Sequence, residues 1–136
     1  MLVLQQDYRG RRVLLAEDDD FNQEIGRIIL ADAGLLVDVA EDGNAALKLM
    51  ASNIYDLVLM DMQMPNLDGL GAARQIRLMP SGQSIPIIAM TANAFAEDRA
   101  LCIEAGMNDF VTKPIDPNTL YAAILHWLKG HAVRLM

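Results

Sequence analysis

Asp61 ends an apolar run at residues 57–60, and Pro65 follows four residues later. A short apolar run of this kind is typical of a strand buried on both faces, as in parallel sheets. A carboxylate at the carboxyl end of such a strand lies where open α/β sheets bind their ligands. Burial makes that charge costly unless a partner compensates it, so the partners of Asp61 decide what chemistry it can perform.

Other polar residues also lie at the ends of predicted strands. Glu17 and Asp18 follow the first strand, Thr91 ends the fourth, and Lys113 follows the fifth. Because the strands of a parallel sheet point the same way, we expect these side chains to gather with Asp61 at one edge. Crowded carboxylates repel one another and are pushed toward protonation unless a counter-charge is present.

A hard divalent cation with oxygen ligands would relieve this repulsion, and the Lys113 ammonium would help. Mg²⁺ suits such a site because it accepts one or two carboxylates together with water and phosphate oxygens. A metal ion and an ammonium around Asp61 would stabilise added negative charge, which is what phosphoryl transfer requires. The pattern therefore predicts that Asp61 is a nucleophile and that Glu17, Asp18 and Asp61 bind Mg²⁺.

Strands and helices must alternate along the chain to position these residues. The predicted strands cover residues 13–16, 35–40, 57–61, 85–90 and 109–112. Helical spacing follows each strand, and the first helix carries on one face Phe21, Ile25, Ile28 and Ile29. Asp20 is its predicted N-cap, and Gly34 is its predicted stop. Five strands alternating with five helices predict an α/β fold, a parallel sheet covered on both faces.

The ends of the chain are predicted to lie outside the domain. Residues 1–11 are interpreted as a linker remnant, 12–130 as the domain, and 131–136 as a frayed tail. Asp116 is predicted to cap the last helix and Gly130 to end it. We expect the chain to be a piece of a larger protein rather than a stand-alone one.

Composition excludes several classes of function. The net charge of −7 argues against nucleic acid or an anionic membrane as the main partner. No segment approaches the roughly 18 apolar residues that a membrane helix needs. Cys102 is the only cysteine, so no intrachain disulfide or thiolate metal cluster can form. Cys102 is expected to pack a helix, and a reducing cytoplasm is the expected compartment.

Four segments of the chain resemble, in order and spacing, the signatures of two-component receiver domains. They are residues 14–19, 59–65, 90–92 and 111–114. Receiver domains are the phosphoacceptor modules of response regulators and hybrid sensor kinases, and the resemblance runs from about residue 12 to 128. Glu17 in place of aspartate, together with the segment 91–94, is most similar to hybrid-kinase receivers. The resemblance implies a cis peptide bond between Lys113 and Pro114.

The resemblance also implies a fold and a set of roles around the phosphoryl group. The fold would be a flavodoxin-like three-layer αβα sandwich whose strand order is 2-1-3-4-5. Asp61 would be the phosphoacceptor, Thr91 would hydrogen-bond a phosphoryl oxygen, and Lys113 would pair with it. Phe110 stands at the position of the switch aromatic, together with Thr91. Phe110 lacks the hydroxyl of the commoner tyrosine, so an outward state anchored by that group is not expected here.

A magnesium ligand set is implied by the same resemblance, and Mg²⁺ is the only cofactor expected. Asp18 and Asp61 would bind the ion directly, and Glu17 would bind it mainly through water. Gln63 would contribute its backbone carbonyl, a ligand that side-chain chemistry cannot reveal.

The leading hypothesis is a receiver that takes a phosphoryl group from a histidine kinase or a histidine phosphotransfer protein. It would catalyse its own phosphorylation and dephosphorylation without turning over an external substrate. We expect a monomer that contacts neither nucleic acid nor membrane, either free in the cytoplasm or as the cytoplasmic part of a membrane-anchored hybrid kinase.

Three other classes compete with it. A dehalogenase-type phosphatase also uses an aspartate nucleophile, but it needs a second acid where Gln63 stands. A flavodoxin-like cofactor carrier would need a phosphate cradle after the first strand, and that loop is acidic. A non-phosphorylated interaction module would not require Asp61, Thr91 and Lys113 together.

Overall fold

The computed structural model of the chain describes residues 2–92 and 96–135. Five strands are present: β1 Arg12–Ala16, β2 Leu36–Ala40, β3 Leu57–Asp61, β4 Ile87–Thr91 and β5 Asp109–Thr112. The helices are α1 Leu2–Asp7, α2 Asp20–Asp32, α3 Gly43–Ser52, α4 Gly69–Leu78, α5 Ala96–Glu104 and α6 Pro117–Leu135. A short 3₁₀ helix, Pro80–Gly82, follows α4.

All five strands are parallel and lie in the order β2-β1-β3-β4-β5. In the central strand β3 every residue is buried, which is why its sequence is apolar without alternation. Leu57 and Leu59 pack into the core on one face of the sheet, while Val58 and Met60 pack into the core on the other. The predicted fold class and strand order are confirmed.

Helices cover both faces of the sheet. On one face the core includes Ala46 and Met50 of α3, Ile76 of α4 and Cys102 of α5. On the other face it includes residues from three helices: Leu4 of α1, Leu30 of α2, and Leu120, Ile124 and Leu128 of α6. The described residues therefore form a three-layer αβα sandwich, with six α-helices where five were predicted.

The additional helix is α1, which lies in a segment predicted to be a linker remnant. Leu4 is 0% exposed and joins the core beside α6. The sequence did not predict this helix, because an apolar segment of six residues at the chain end is too short to show a helical periodicity. The other terminus also differs, since α6 continues through Gly130 to Leu135. A single glycine weakens a helix by only about 1 kcal/mol, and the helix continues despite it.

The first turn of α2 differs from the prediction in two ways. Asp19, not Asp20, is the N-cap, and its carboxylate accepts a hydrogen bond from the backbone N–H of Asn22 at 2.9 Å. Phe21 and Ile28, predicted on the buried face, are exposed, whereas Ile29 is buried. The predicted stop at Gly34 is confirmed by a backbone φ of +83°.

Two smaller predictions concern strand and helix ends. Pro86 has no N–H to give to the sheet, so β4 begins at Ile87 rather than at residue 85. Asp116 caps α6 as predicted, accepting from the backbone N–H of Thr119 at 2.9 Å. The predicted start of the fourth helix, at residue 95, lies outside the described residues. Among the helices of the described ranges, none has the length and apolar character needed to cross a bilayer.

Replacing Leu4 with alanine should lower the free energy of unfolding by about 2–4 kcal/mol, because it empties a fully buried site. Val3→Ala is the matched control, since Val3 is 42% exposed on the same helix and should change stability by about 0.5 kcal/mol or less. Urea unfolding followed by circular dichroism measures both. Equal effects of the two substitutions would show that α1 does not pack as described.

Candidate phosphoacceptor and metal site

The carboxyl ends of four strands bring the predicted site residues together. Asp61 is the last residue of β3, Thr91 is the last residue of β4, and Glu17 directly follows β1. The sheet register sets Asp61 beside Met90, one residue before Thr91. An open cleft of about 500 Å³ at this edge is lined by six of the seven predicted site residues: Glu17, Asp18, Asp61, Gln63, Thr91 and Lys113.

Lys113 lies between two of the acids. Its Nζ is 2.9 Å from Oε1 of Glu17 and 3.1 Å from Oδ2 of Asp61. Burial disfavours the charged ammonium, but the hydrogen bonds to Glu17 and Asp61 outweigh it, so the pKa of Lys113 lies above its usual value. Lys113 therefore carries its positive charge at neutral pH. Its backbone N–H also donates to the carbonyl of Thr91 at 2.8 Å, which holds the end of β5 against β4.

Glu17 is only 2% exposed, and four hydrogen bonds hold it in place. Its backbone N–H donates to the carbonyl of Ala40 at 2.9 Å, and its own carbonyl accepts from the Gln23 amide at 2.6 Å. Its carboxylate accepts from Lys113 through Oε1 and from the backbone N–H of Asp19 through Oε2, at 3.2 Å. The direction of this acid is thus fixed by both main-chain and side-chain contacts.

Asp61 is 4% exposed, and both of its carboxylate oxygens have protein donors. Oδ1 accepts from the backbone N–H of Gln63 at 3.2 Å, and Oδ2 faces Lys113. The loop after β3 folds back against the same residue, and Gly69 allows this. A Cβ at Gly69 would overlap the carbonyl oxygen of Asp61, so a side chain at position 69 would push the loop away.

The acids fit a hard divalent cation. One carboxylate oxygen from each of Glu17, Asp18 and Asp61 lies within 4.8 Å of the other two. Oxygen-only donors at such separations suit Mg²⁺, which holds few protein ligands and keeps part of its water. Asp18 is exposed, so the cluster opens to solvent on its side. Gln63 lines the same cleft, next to the predicted metal ligands.

Phe110 lies outside this cleft, half-buried on β5. The guanidinium of Arg99 on α5 stacks over its ring at 4.6 Å from the centroid. Its backbone N–H donates to Oδ1 of Asp109 at 2.7 Å, and Oδ2 of Asp109 accepts from the Trp127 indole at 2.8 Å. The aromatic at the predicted switch position is therefore tied to both α5 and α6.

Two further predictions about this edge are confirmed by the structure. The peptide bond between Lys113 and Pro114 is cis. Cys102 is buried on α5, where its Sγ lies 3.5 Å from Sδ of Met62, the residue after Asp61. Cys102 is therefore a packing residue, as expected.

Gln23 and Arg99 are the site neighbours that sequence reasoning missed. Gln23 reaches a main-chain carbonyl, and Arg99 covers an aromatic ring from a different element. Neither contact creates a spacing or residue pair that a motif could reveal, so no signal in the sequence could have found them.

Comparison with known families decides the membership of the chain. The sequence model of the response regulator receiver domain matches residues 13–125. The chain belongs to this family. The chain spans 7% and 14% of the length of the two kinase relatives described next.

Two relatives are hybrid or sensor kinases. The chain is 42% identical over 121 residues to hybrid signal transduction histidine kinase I of Dictyostelium discoideum, covering 84% of this chain and 7% of that protein. It is 38% identical over 129 residues to the sensor protein GacS of Pseudomonas syringae pv. syringae, covering 93% of this chain and 14% of that protein.

Solved structures of receiver domains share the fold. The receiver domain of the sensor histidine kinase PA1611 from Pseudomonas aeruginosa PAO1 is 39% identical, with a TM-score of 0.83 over 88% of this chain and 98% of its own. That crystal structure has a magnesium ion coordinated in the active-site cleft. The chemotaxis protein CheY4 of Vibrio cholerae, at 25% identity, also gives 0.83 over 86% of this chain and 98% of its own.

Lys113→Met should lower the free energy of unfolding in metal-free buffer by about 2–4 kcal/mol, because it leaves Glu17 and Asp61 without their cation. Lys129→Met, on the exposed side of α6, makes the same chemical change and should cost about 0.5 kcal/mol or less. Denaturant titration of the two variants provides the measurement. A loss no larger than that of the control would mean that the Lys113 pairs do not stabilise the fold.

Proposed function

We propose that this chain is the phosphoacceptor receiver of a two-component phosphorelay and that Asp61 is the residue phosphorylated. The observation that supports the proposal most directly is the setting of Asp61. Its carboxylate ends a buried strand in an open cleft, 3.1 Å from the Lys113 ammonium. The donor would be a phosphohistidine on a histidine kinase or a histidine phosphotransfer protein, since relatives of the chain include histidine kinases.

In the proposed reaction, a carboxylate oxygen of Asp61 attacks the phosphorus in line with the histidine nitrogen. The new O–P bond forms as the P–N bond breaks, and the imidazole leaves and takes its proton from solvent. Lys113 then pairs with a phosphoryl oxygen, exchanging part of its contact with Asp61 for the transferred group. The Thr91 hydroxyl at the end of β4 donates a hydrogen bond to another phosphoryl oxygen.

We assign the metal ligands to the same cluster of acids. Asp18 and Asp61 would hold Mg²⁺ directly with the backbone carbonyl of Gln63, and Glu17 would act through water. The bound ion supplies positive charge to the phosphoryl oxygens during transfer. Glu17 is suited to the outer role because Lys113 and the Asp19 N–H already occupy its carboxylate oxygens.

The output of phosphorylation is proposed to be a shift of α5. Thr91 and Phe110 are the proposed switch residues, and the Arg99 guanidinium on the Phe110 ring supports a link from β5 to α5. A phosphoryl group on Asp61 shifts the populations of two packings of α5 if its interactions are more favourable in one packing than in the other. Catalysis is limited to the phosphorylation and dephosphorylation of Asp61.

Residues 12–130 are proposed to form the receiver domain of a hybrid histidine kinase, and α1 packs onto this domain as an additional N-terminal helix through Leu4. The match to the receiver family over residues 13–125 supports these bounds. A cytoplasmic location and a monomeric state stay predictions. The phosphatase alternative is disfavoured because Gln63, two residues after Asp61, offers only a backbone N–H to the carboxylate and is not an acid.

Incubation with a small acyl phosphate and Mg²⁺ should add the mass of one phosphoryl group to the intact protein, and Asp61→Asn should add none. Neutral hydroxylamine should remove the label, since it cleaves acyl phosphates and leaves phosphate esters intact. Asp20→Asn is the control because Asp20 is an exposed acid near the cleft without a proposed role. An unlabelled wild type, or a labelled Asp61→Asn, would contradict the proposed function.

Mg²⁺ should raise the thermal unfolding midpoint of the wild type at constant ionic strength, because an ion that binds only the folded state stabilises it. Asp18→Ala should lose most of this rise, whereas Asp20→Ala should keep it. Differential scanning fluorimetry across a magnesium titration, with sodium chloride adjusted to match, makes the comparison. If the two alanine variants responded alike, the effect would be one of bulk charge and the ligand assignment would be wrong.

A further inference from the structure

The side chain of Gln23 reaches back from α2 to the loop that carries the acids. Its Nε2 donates to the carbonyl oxygen of Glu17 at 2.6 Å, in a partly buried contact. The backbone N–H of Gln23 donates at the same time to the carbonyl of Asp19 at 2.8 Å, as part of the first turn of the helix. One residue thus holds the loop at two points, once through its main chain and once through its amide.

The carbonyl that Gln23 holds belongs to the peptide group between Glu17 and Asp18. That group is planar, so fixing its oxygen fixes the plane that leads from one acid to the next. The backbone N–H of Glu17 is bound to Ala40 at 2.9 Å, which anchors the other end of the same residue to β2. The Gln23 amide is therefore the side-chain contact that fixes the peptide leading into Asp18, while the hydrogen bonds of Asp19 hold the loop on the other side of that residue.

We propose that Gln23 is a positioning residue for the magnesium site, acting through the Glu17–Asp18 peptide and not by touching the ion. This inference rests on the proposed function, because it concerns the same metal site. Asp18 is exposed, so packing around its side chain is too sparse to orient it. A neutral amide is suited to the role because it fixes the peptide without adding charge to a crowded acidic cluster.

The test compares Gln23→Met with Gln75→Met, which makes the same chemical change at an exposed position of α4 away from the cleft. Titration calorimetry with magnesium chloride measures the affinity of each purified protein. Gln23→Met should bind Mg²⁺ about tenfold more weakly than the wild type, in the range found for groups that orient metal ligands. Gln75→Met should match the wild type. Unchanged affinity in Gln23→Met would overturn the inference.

Two further readouts separate positioning from general destabilisation. The carbonyl ¹³C resonance of Glu17 should shift in metal-free Gln23→Met, and it should not shift in Gln75→Met. The rate of labelling by an acyl phosphate should fall at low magnesium and recover at saturating magnesium, so that the defect lies in the magnesium dependence. A rate that stays low at saturation would show damage beyond the metal site and would contradict the proposal.

Gln23→Asn provides a second variant should the methionine variant fold poorly. Asparagine keeps the amide but is one methylene shorter, so it should also weaken Mg²⁺ binding; wild-type affinity in this variant would overturn the inference. The outcomes also separate this inference from the proposed function. A wild type that binds Mg²⁺ but is not labelled at Asp61 contradicts the receiver function alone, whereas a labelled wild type with unaltered affinity in both Gln23 variants contradicts only the role of Gln23.

Discussion

The structure depends on the compensation of crowded negative charge at the carboxyl edge of the sheet. The parallel topology delivers Glu17, Asp18 and Asp61 to one place, and Lys113 is the cation that pairs with two of them. Lys113 follows β5 and Glu17 follows β1, so their ion pair spans β3 and β4, a distance of roughly 14 Å between strand axes. A single interaction thus joins the first and last strands across the site.

Much of the fold could be predicted because the buried strands of the sheet are short apolar segments with polar residues at their ends. β1, β3 and β4 each pass from an apolar run to a polar residue, and Asp61, Thr91 and Lys113 mark the ends of β3, β4 and β5. The apolar run at residues 57–60 predicted a parallel sheet from sequence alone, and the structure shows that every residue of β3 is buried. Residue types and their positions at strand ends therefore predicted both the αβα layers of the fold and the residues that line the cleft.

What sequence could not supply was the choice among equivalent residues and the contacts to main-chain atoms. Asp19 and Asp20 are both good N-caps, and only the path of the loop decides that Asp19 is used. The Gln23 amide donates to the main-chain carbonyl of Glu17. Every residue has such a carbonyl, so the residue type at position 17 does not reveal this contact. Likewise, Phe21 fits a helical apolar stripe yet is 72% exposed, because it lies in the first turn of α2 and lines the open cleft.

The indole of Trp127 gives the molecule an optical probe that needs no labelling. Trp127 is the only tryptophan of the chain, and its N–H is bound to Asp109, whose other oxygen accepts from the backbone of Phe110. Emission from this ring depends on the polarity and hydrogen bonding at its N–H, and so on the local geometry of β5. Native fluorescence of the unmodified protein can therefore report, in real time, whether a structural change in β5 alters the surroundings of Trp127 on α6.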